Sequence, residues 1–191
     1  ALDRPGSGYS TRAAGATGRL PEQAKLVADF IAALGLERPL LVGHSLGGAV
    51  ALTVALDHPS AISGVVALAP LTHMEDEVRP EFKGLYIRSR LKRWLVSRTI
   101  AVPASLKYAP QTLDFVFGPQ KWPQDYIVGG GGMLGLRPGQ FYATATDIVA
   151  IEHDLGAIEM RYGEIATPAA LMFGSADRVL DHQRHGLAMR D

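Results

Sequence analysis

A short apolar run, the turn G-H-S-L-G and a helix apolar on every side follow one another between Pro39 and Asp57. No other stretch constrains the fold as tightly. Pro39-Leu40-Leu41-Val42-Gly43 has no polar alternation, which predicts a strand buried on both faces. Gly47 to Asp57, rich in Ala, Val and Leu, predicts a buried helix that His58-Pro59 stops. Strand must become helix within about one residue, so Ser45 is driven into a strained backbone region. Side chains at Gly43 and Gly47 are expected to collide across so tight a turn, while Gly48 and Ala49 let the helix lie close to the sheet.

The flanking segments repeat the pattern. Leu20, Ala24, Val27, Ile31 and Leu34 fall on one face of a helix between Leu20 and Leu36, with Pro21 near its first turn and Gly35 near its end. Ile62 to Ala69 is a second buried strand, stopped by Pro70. Helices alternating with buried strands imply an α/β fold with a parallel, doubly wound sheet. From residue 72 to 160 the texture changes. Both Trp, a basic helix around Arg88–Arg98, a Pro-punctuated stretch, the run Gly129–Gly132 and a helix from about Gln140 to Met160 all lie there, without a strand pattern. Such a length is too great for a plain loop and predicts a mostly helical insertion. The strand pattern returns at Thr167 to Gly174, followed by Asp177 and a helical tail from about Asp181. Three segments are thus expected: core 1–71, insertion 72–160 and core 161–191.

Composition narrows the function classes. Among 191 residues, 19 Lys and Arg balance 19 Asp and Glu, against the basic excess of a nucleic-acid binder. With no Cys, disulfides, thiolate metal sites and a Cys nucleophile are excluded. Carboxylates such as Glu75 and Glu77 lack partners at metal-ligand spacing, so no metal or cofactor is expected. No apolar run approaches the ~20 residues of a membrane span. No leader is visible at Ala1-Leu2-Asp3-Arg4; the expectation is a cytoplasmic chain, although a Cys-free protein suits either redox environment. Gly6-x-Gly8 lacks the third glycine or G-K-[ST] of a phosphate loop.

G-x-S-x-G between a buried strand and a buried helix is the context of a nucleophile elbow. Ser45 then stands at the carboxyl edge of the sheet, where α/β proteins hold ligands. The following helix turns its positive dipole end and unpaired N–H groups toward it, and the N–H of Leu46 becomes the first oxyanion donor.

Three separated motifs resemble the α/β-hydrolase fold superfamily, in particular its cap-bearing serine hydrolases: esterases, cofactor-free haloperoxidases and carbon–carbon bond hydrolases. D-R-P-G-S-G-Y-S at 3–10 is similar to the loop after that family's fourth strand. G-H-S-L-G-G at 43–48 resembles its elbow, and F-G-S-A-D-R-V at 173–179 resembles the segment carrying its triad acid. The resemblance implies Ser45 as nucleophile, Asp177 as the acid that orients a histidine, and residues 72–160 as a helical cap over a small-molecule site. Ser rather than Asp at position 45 argues against dehalogenase and epoxide hydrolase chemistry. Some relatives carry the acid after the sixth strand, where the nearest acids here are Glu75 and Asp76. The expected activity is hydrolysis of an ester or related carbonyl compound through an acyl-enzyme. A non-catalytic ligand-binding protein of the same fold is the alternative from another class.

The histidine is harder to find. His44 lies in the elbow, pointing away from the Ser45 hydroxyl, with packing as its expected role; His58 ends a helix; His73 and His153 lie in the insertion. His182 and His185 follow Asp177 in the right order but within one or two helical turns, too near to sit between acid and serine. By resemblance, the catalytic histidine is expected beyond residue 191 and a second oxyanion donor before residue 1. The segment alone is therefore expected to be inactive or poorly folded, with bare sheet edges. Elsewhere, Gly129–Gly132 reads as a flexible loop. The run Ile87 to Arg98 reads as the solvated outer face of a helix, its charge cancelled by acids elsewhere, ahead of a lipid-surface role.

Overall fold

The computed structural model describes residues 1–75 and 77–189; Asp76, one of the alternative acids, lies outside them. Three strands, β1 (Leu40–His44), β2 (Gly64–Leu68) and β3 (Ala169–Met172), form a parallel sheet in the order β1-β2-β3. By its contacts the chain divides into two compact units: Arg19–Glu75 with Ile151–Asp191, and Ala1–Gly18 with Asp76–Ala150.

The first of these holds the sheet. Helix α1 (Leu20–Ala33) buries Leu20, Ala24, Val27 and Ile31, the face the sequence spacing selects. Each large apolar side chain so buried contributes about 1.5–3 kcal/mol. It packs on α2 (Leu46–Asp57), whose residues Gly48 through Ala55 are all buried, and α2 in turn covers the sheet face formed by Leu41, Gly43, Val65 and Ala67. The opposite face differs from expectation. Leu40 and Val42 alternate with the covered residues and are each 58% exposed, as is Met172 at 65%. The apolar run of β1 is continuous because both faces are apolar, yet among the described residues only one has a helix on it. His44 shares that open face and is exposed, so the packing role expected of it is not what the structure contains.

The tail is short. It consists of α7 (His182–His185), with Asp181 Oδ1 accepting the Gln183 N–H at 2.9 Å, then one 3-10 turn. Helix α6 (Leu155–Glu159) also belongs here. The single helix expected over 140–160 is broken: α5 (Pro138–Ile151) stops before Asp154, whose carboxylate receives the Leu20 N–H at 2.9 Å and the Arg19 guanidinium at 2.6 Å. A carboxylate committed to the start of α1 redirects its own backbone.

The second unit contains α3 (Arg90–Arg98), α4 (Ala101–Phe117) and most of α5. Helix α4 runs through the stretch that its prolines seemed to punctuate. Pro103 sits in the first turn, where a missing N–H is harmless, and Pro110 is tolerated in the interior. The Gly129–Gly132 run is a built turn, its N–H groups bonded to Asp125, Tyr126 and Val128 carbonyls. Asp147 of α5, 1% exposed, is the polar centre of this unit: Arg4 meets it at 2.8 Å and Arg12 binds its other oxygen. The loop 3–10 is fixed as well, since Asp3 accepts the Tyr9 N–H at 2.9 Å and Gln140 accepts the Gly8 N–H at 2.8 Å.

Candidate active site

Ser45 connects β1 to α2 with φ 52° and ψ −121°, a conformation that L-residues rarely adopt. Its backbone is held on both sides. The Ser45 N–H donates to Leu68 O at 3.0 Å, and its carbonyl accepts from Gly48 at 2.9 Å, Ala49 at 3.2 Å and Leu71 at 3.1 Å. Four bonds to α2 and to the end of β2 offset the strain of order 1–3 kcal/mol that such a residue carries. Leu46 is the first residue of α2, and helix geometry leaves its N–H without an intrahelical acceptor.

The glycines do not all act as expected. A Cβ on Gly43 would run into the Gly47 carbonyl and lie 2.9 Å from Gly48 N, and one on Gly48 would lie 2.6 Å from Pro70 Cβ. At Gly47 nothing lies within 4 Å. The collision is therefore one-sided: the Gly47 backbone occupies the space a Gly43 side chain would need, while Gly47's own Cβ direction is open. Gly43→Ala is expected to lower stability by about 1–3 kcal/mol through overpacking, and Gly47→Ala to leave it within about 0.5 kcal/mol. Thermal unfolding of the two variants side by side checks the asymmetry.

Asp177 follows β3 and lies on the same carboxyl edge of the sheet as Ser45, with β2 between their strands. Two strand spacings separate those strands by about 10 Å. Asp177 Oδ1 accepts the N–H groups of Val179 at 2.8 Å and Leu180 at 3.1 Å, which fixes the turn and the carboxylate together.

His185 is held in a hydrogen-bond network of its own. The ring is fully buried. Its Nδ1 accepts the N–H groups of Thr72 at 3.2 Å and His73 at 3.3 Å, and Nε2–H donates to Glu75 Oε1 at 2.8 Å. The two backbone donors assign the tautomer. Both ring nitrogens are engaged within this network, and Glu75, the other alternative acid, is paired with His185 through Oε1. The network continues: Thr72 Oγ1 donates to His185 O at 2.9 Å and accepts from His73 Nδ1–H at 2.8 Å, while the Tyr162 hydroxyl donates to Thr72 O at 2.8 Å. Burial pushes the Tyr162 phenol far above its ordinary range, so it stays a donor at all physiological pH. His182 lies on the short α7, its Nδ1 3.9 Å from Asp181, and His153 is exposed. Sequence reasoning missed this knot because His185 and Tyr162 stand 113 and 90 residues from Thr72 and carry no spacing signal.

Burial also holds the His73 imidazole below its ordinary value, against a weaker upward pull from Glu159. The unfolded chain therefore binds the proton more readily than the folded one. Stability from this residue is complete above about pH 6.5 and falls as pH drops from there toward the lowered value. The thermal midpoint is expected to fall as pH drops below about 6.5, and His73→Gln to flatten that part of the profile.

Among the described residues, no group of three or more His, Asp or Glu could hold a metal ion, and no helix is long and apolar enough to cross a membrane.

Comparison with known proteins bears on the whole chain. The profile of the family described as alpha/beta hydrolase fold matches residues 1–188. A curated protein from Xenopus laevis named monoacylglycerol lipase abhd6-A is 27% identical over 188 residues, covering 94% of this chain and 53% of that protein. The crystal structure of a membrane phospholipase A, 28% identical, superposes with a TM-score of 0.66 over 99% of this chain and 57% of the other. An alpha/beta hydrolase fold protein from Burkholderia ambifaria reaches a TM-score of 0.70 at 18% identity, covering 97% and 66%. The chain thus spans little more than half the length of the curated lipase it resembles.

Proposed function

Because this chain belongs to the alpha/beta hydrolase fold family, we propose that it carries the nucleophile and acid of a serine hydrolase that cleaves a carboxylic ester through an acyl-enzyme. The observation that carries the proposal is the backbone of Ser45, strained at φ 52° and pinned by four hydrogen bonds at a strand–helix junction. A ligand-binding protein gains nothing from such strain, whereas a nucleophile gains an exposed hydroxyl beside a helix N-terminus.

In this mechanism a histidine takes the Ser45 proton as Oγ attacks the ester carbonyl, and the Leu46 N–H donates to the oxyanion that forms. Asp177 orients that histidine through the oxygen its turn leaves over and stabilises the imidazolium. Water then attacks the acyl-enzyme, the histidine removing its proton, and the acid is released with Ser45 regenerated. His185 is not assigned as that base, because its Nδ1 accepts two backbone N–H groups and its Nε2–H is bonded to Glu75. No cofactor enters these steps. A lipase and a phospholipase among the similar proteins favour a lipid-like acyl ester as substrate.

A fluorophosphonate probe tests this on the full-length protein. Labelling is expected to be stoichiometric and lost in Ser45→Ala. A folded, unlabelled wild-type protein would favour the ligand-binding alternative.

A further inference from the structure

Helix α3 is built inside out. Its inward residues are Arg93 and Ser97, both buried; Arg93 donates to Ala145 O at 3.1 Å and lies over the Tyr142 ring at 5.4 Å. Its outward face carries Leu91, Trp94 and Leu95, which are 68%, 46% and 45% exposed. With Arg98 they take positions i, i+3, i+4 and i+7, one continuous stripe. Arg98 stacks on the Trp94 ring at 4.6 Å, so apolar and cationic surface are continuous. Exposed Ile100, Leu106 and Tyr108 follow on the connection to α4 and on α4 itself.

The charge around this stripe has one sign. From Phe82 to Leu113 the chain contains Lys83, Arg88, Arg90, Lys92, Arg93, Arg98 and Lys107 and no acid at all. Zero net charge for the whole chain is therefore a basic segment set against an acidic remainder. Arg90, Lys92 and Arg98 lie on the solvated outer face expected from the sequence, and Leu91, Trp94 and Leu95 are exposed beside them.

We infer that the exposed Leu91-Trp94-Leu95 stripe of α3, flanked by Arg90, Lys92 and Arg98, docks this protein on an anionic lipid bilayer. Leu and Trp enter the headgroup–acyl boundary while the guanidinium and ammonium groups meet lipid phosphates, the arrangement that interfacial helices use. A second copy of the same surface would bring like charges together. The inference does not depend on Ser45, and its test reads binding alone.

The full chain is mixed with vesicles of phosphatidylcholine alone and with vesicles containing phosphatidylglycerol, then sedimented at low and high salt. Partitioning is expected only with the anionic vesicles and is expected to fall as salt rises. Trp94 emission, isolated in a Trp122→Phe background, shifts to the blue on binding. Leu91→Ser/Trp94→Ser/Leu95→Ser is expected to weaken partitioning at least about ten-fold. Arg90→Gln/Lys92→Gln/Arg98→Gln is expected to weaken it roughly five-fold per charge removed. Lys25→Gln with Lys121→Gln, basic residues elsewhere, leaves it unchanged. All replaced positions but the half-buried Trp122 are exposed; if a triple variant still fails to fold, lipid dependence, salt dependence and Trp94 emission of the otherwise native chain decide. No partitioning, equal partitioning into neutral vesicles, or an unshifted Trp94 would overturn the inference.

Discussion

Ser45→Ala is expected to leave a folded protein whose ester turnover is lower by at least about 10⁴-fold. The residue's contribution to the fold is made by its backbone, through bonds to Leu68, Gly48, Ala49 and Leu71 that alanine retains. Alanine occupies φ 52° with the same strain as serine. Only the Oγ is lost, and with it the covalent step, since the Leu46 N–H can stabilise an oxyanion but cannot form an acyl-enzyme. Hydrolysis of a short-chain p-nitrophenyl ester by the full-length protein, measured with its thermal midpoint, separates the two contributions. Full activity in the variant would remove Ser45 from the mechanism; equal losses of activity and midpoint would make it structural.

Asp147→Ala is expected to lower stability by about 3–5 kcal/mol, the cost of leaving a buried cation without its partner. The Asp147 side chain is 1% exposed and that of Arg12 is 9% exposed. Without the carboxylate Arg12 retains a neutral acceptor, the Pro5 carbonyl at 3.1 Å from Nε and 3.0 Å from Nη2, while Nη1 has no hydrogen-bond partner. Arg4, more exposed, can turn to water. For a chain of this size the shift corresponds to a fall in thermal midpoint of about 6–20 °C. The double variant Asp147→Leu/Arg12→Met is expected to recover most of it, because removing both charges also removes their desolvation cost. A single variant that melts with the wild type would show that the Arg4–Asp147–Arg12 cluster does not hold the N-terminal loop to α5.

The parts of this molecule visible in the sequence are those whose cause is local. Helix α1 declares itself because its buried face recurs every three or four residues, and α2 because apolar residues surround it. The turn at Ser45 declares itself because a strand and a helix leave one residue between them. Other features depend on what lies opposite. Gly43 and Gly47 look equivalent as letters, yet the Gly47 backbone fills the space beside Gly43 and nothing fills the space beside Gly47. Asp154 looks like one more residue of a helix until its carboxylate is seen on Leu20 and Arg19. His185 satisfies the chain order of a triad, and only its bonds to Thr72, His73 and Glu75 remove it.

By itself the sequence determined the α/β class, the parallel strands, the junction at Ser45 and the position of Asp177 after the last strand, because periodicity, run length and tight-turn sterics act between near neighbours. Tertiary structure alone decided which apolar faces stay open, as on β1 and α3, and which charges go inside, as at Asp147 and His185. Burial and pairing depend on groups that the fold brings together from distant parts of the chain.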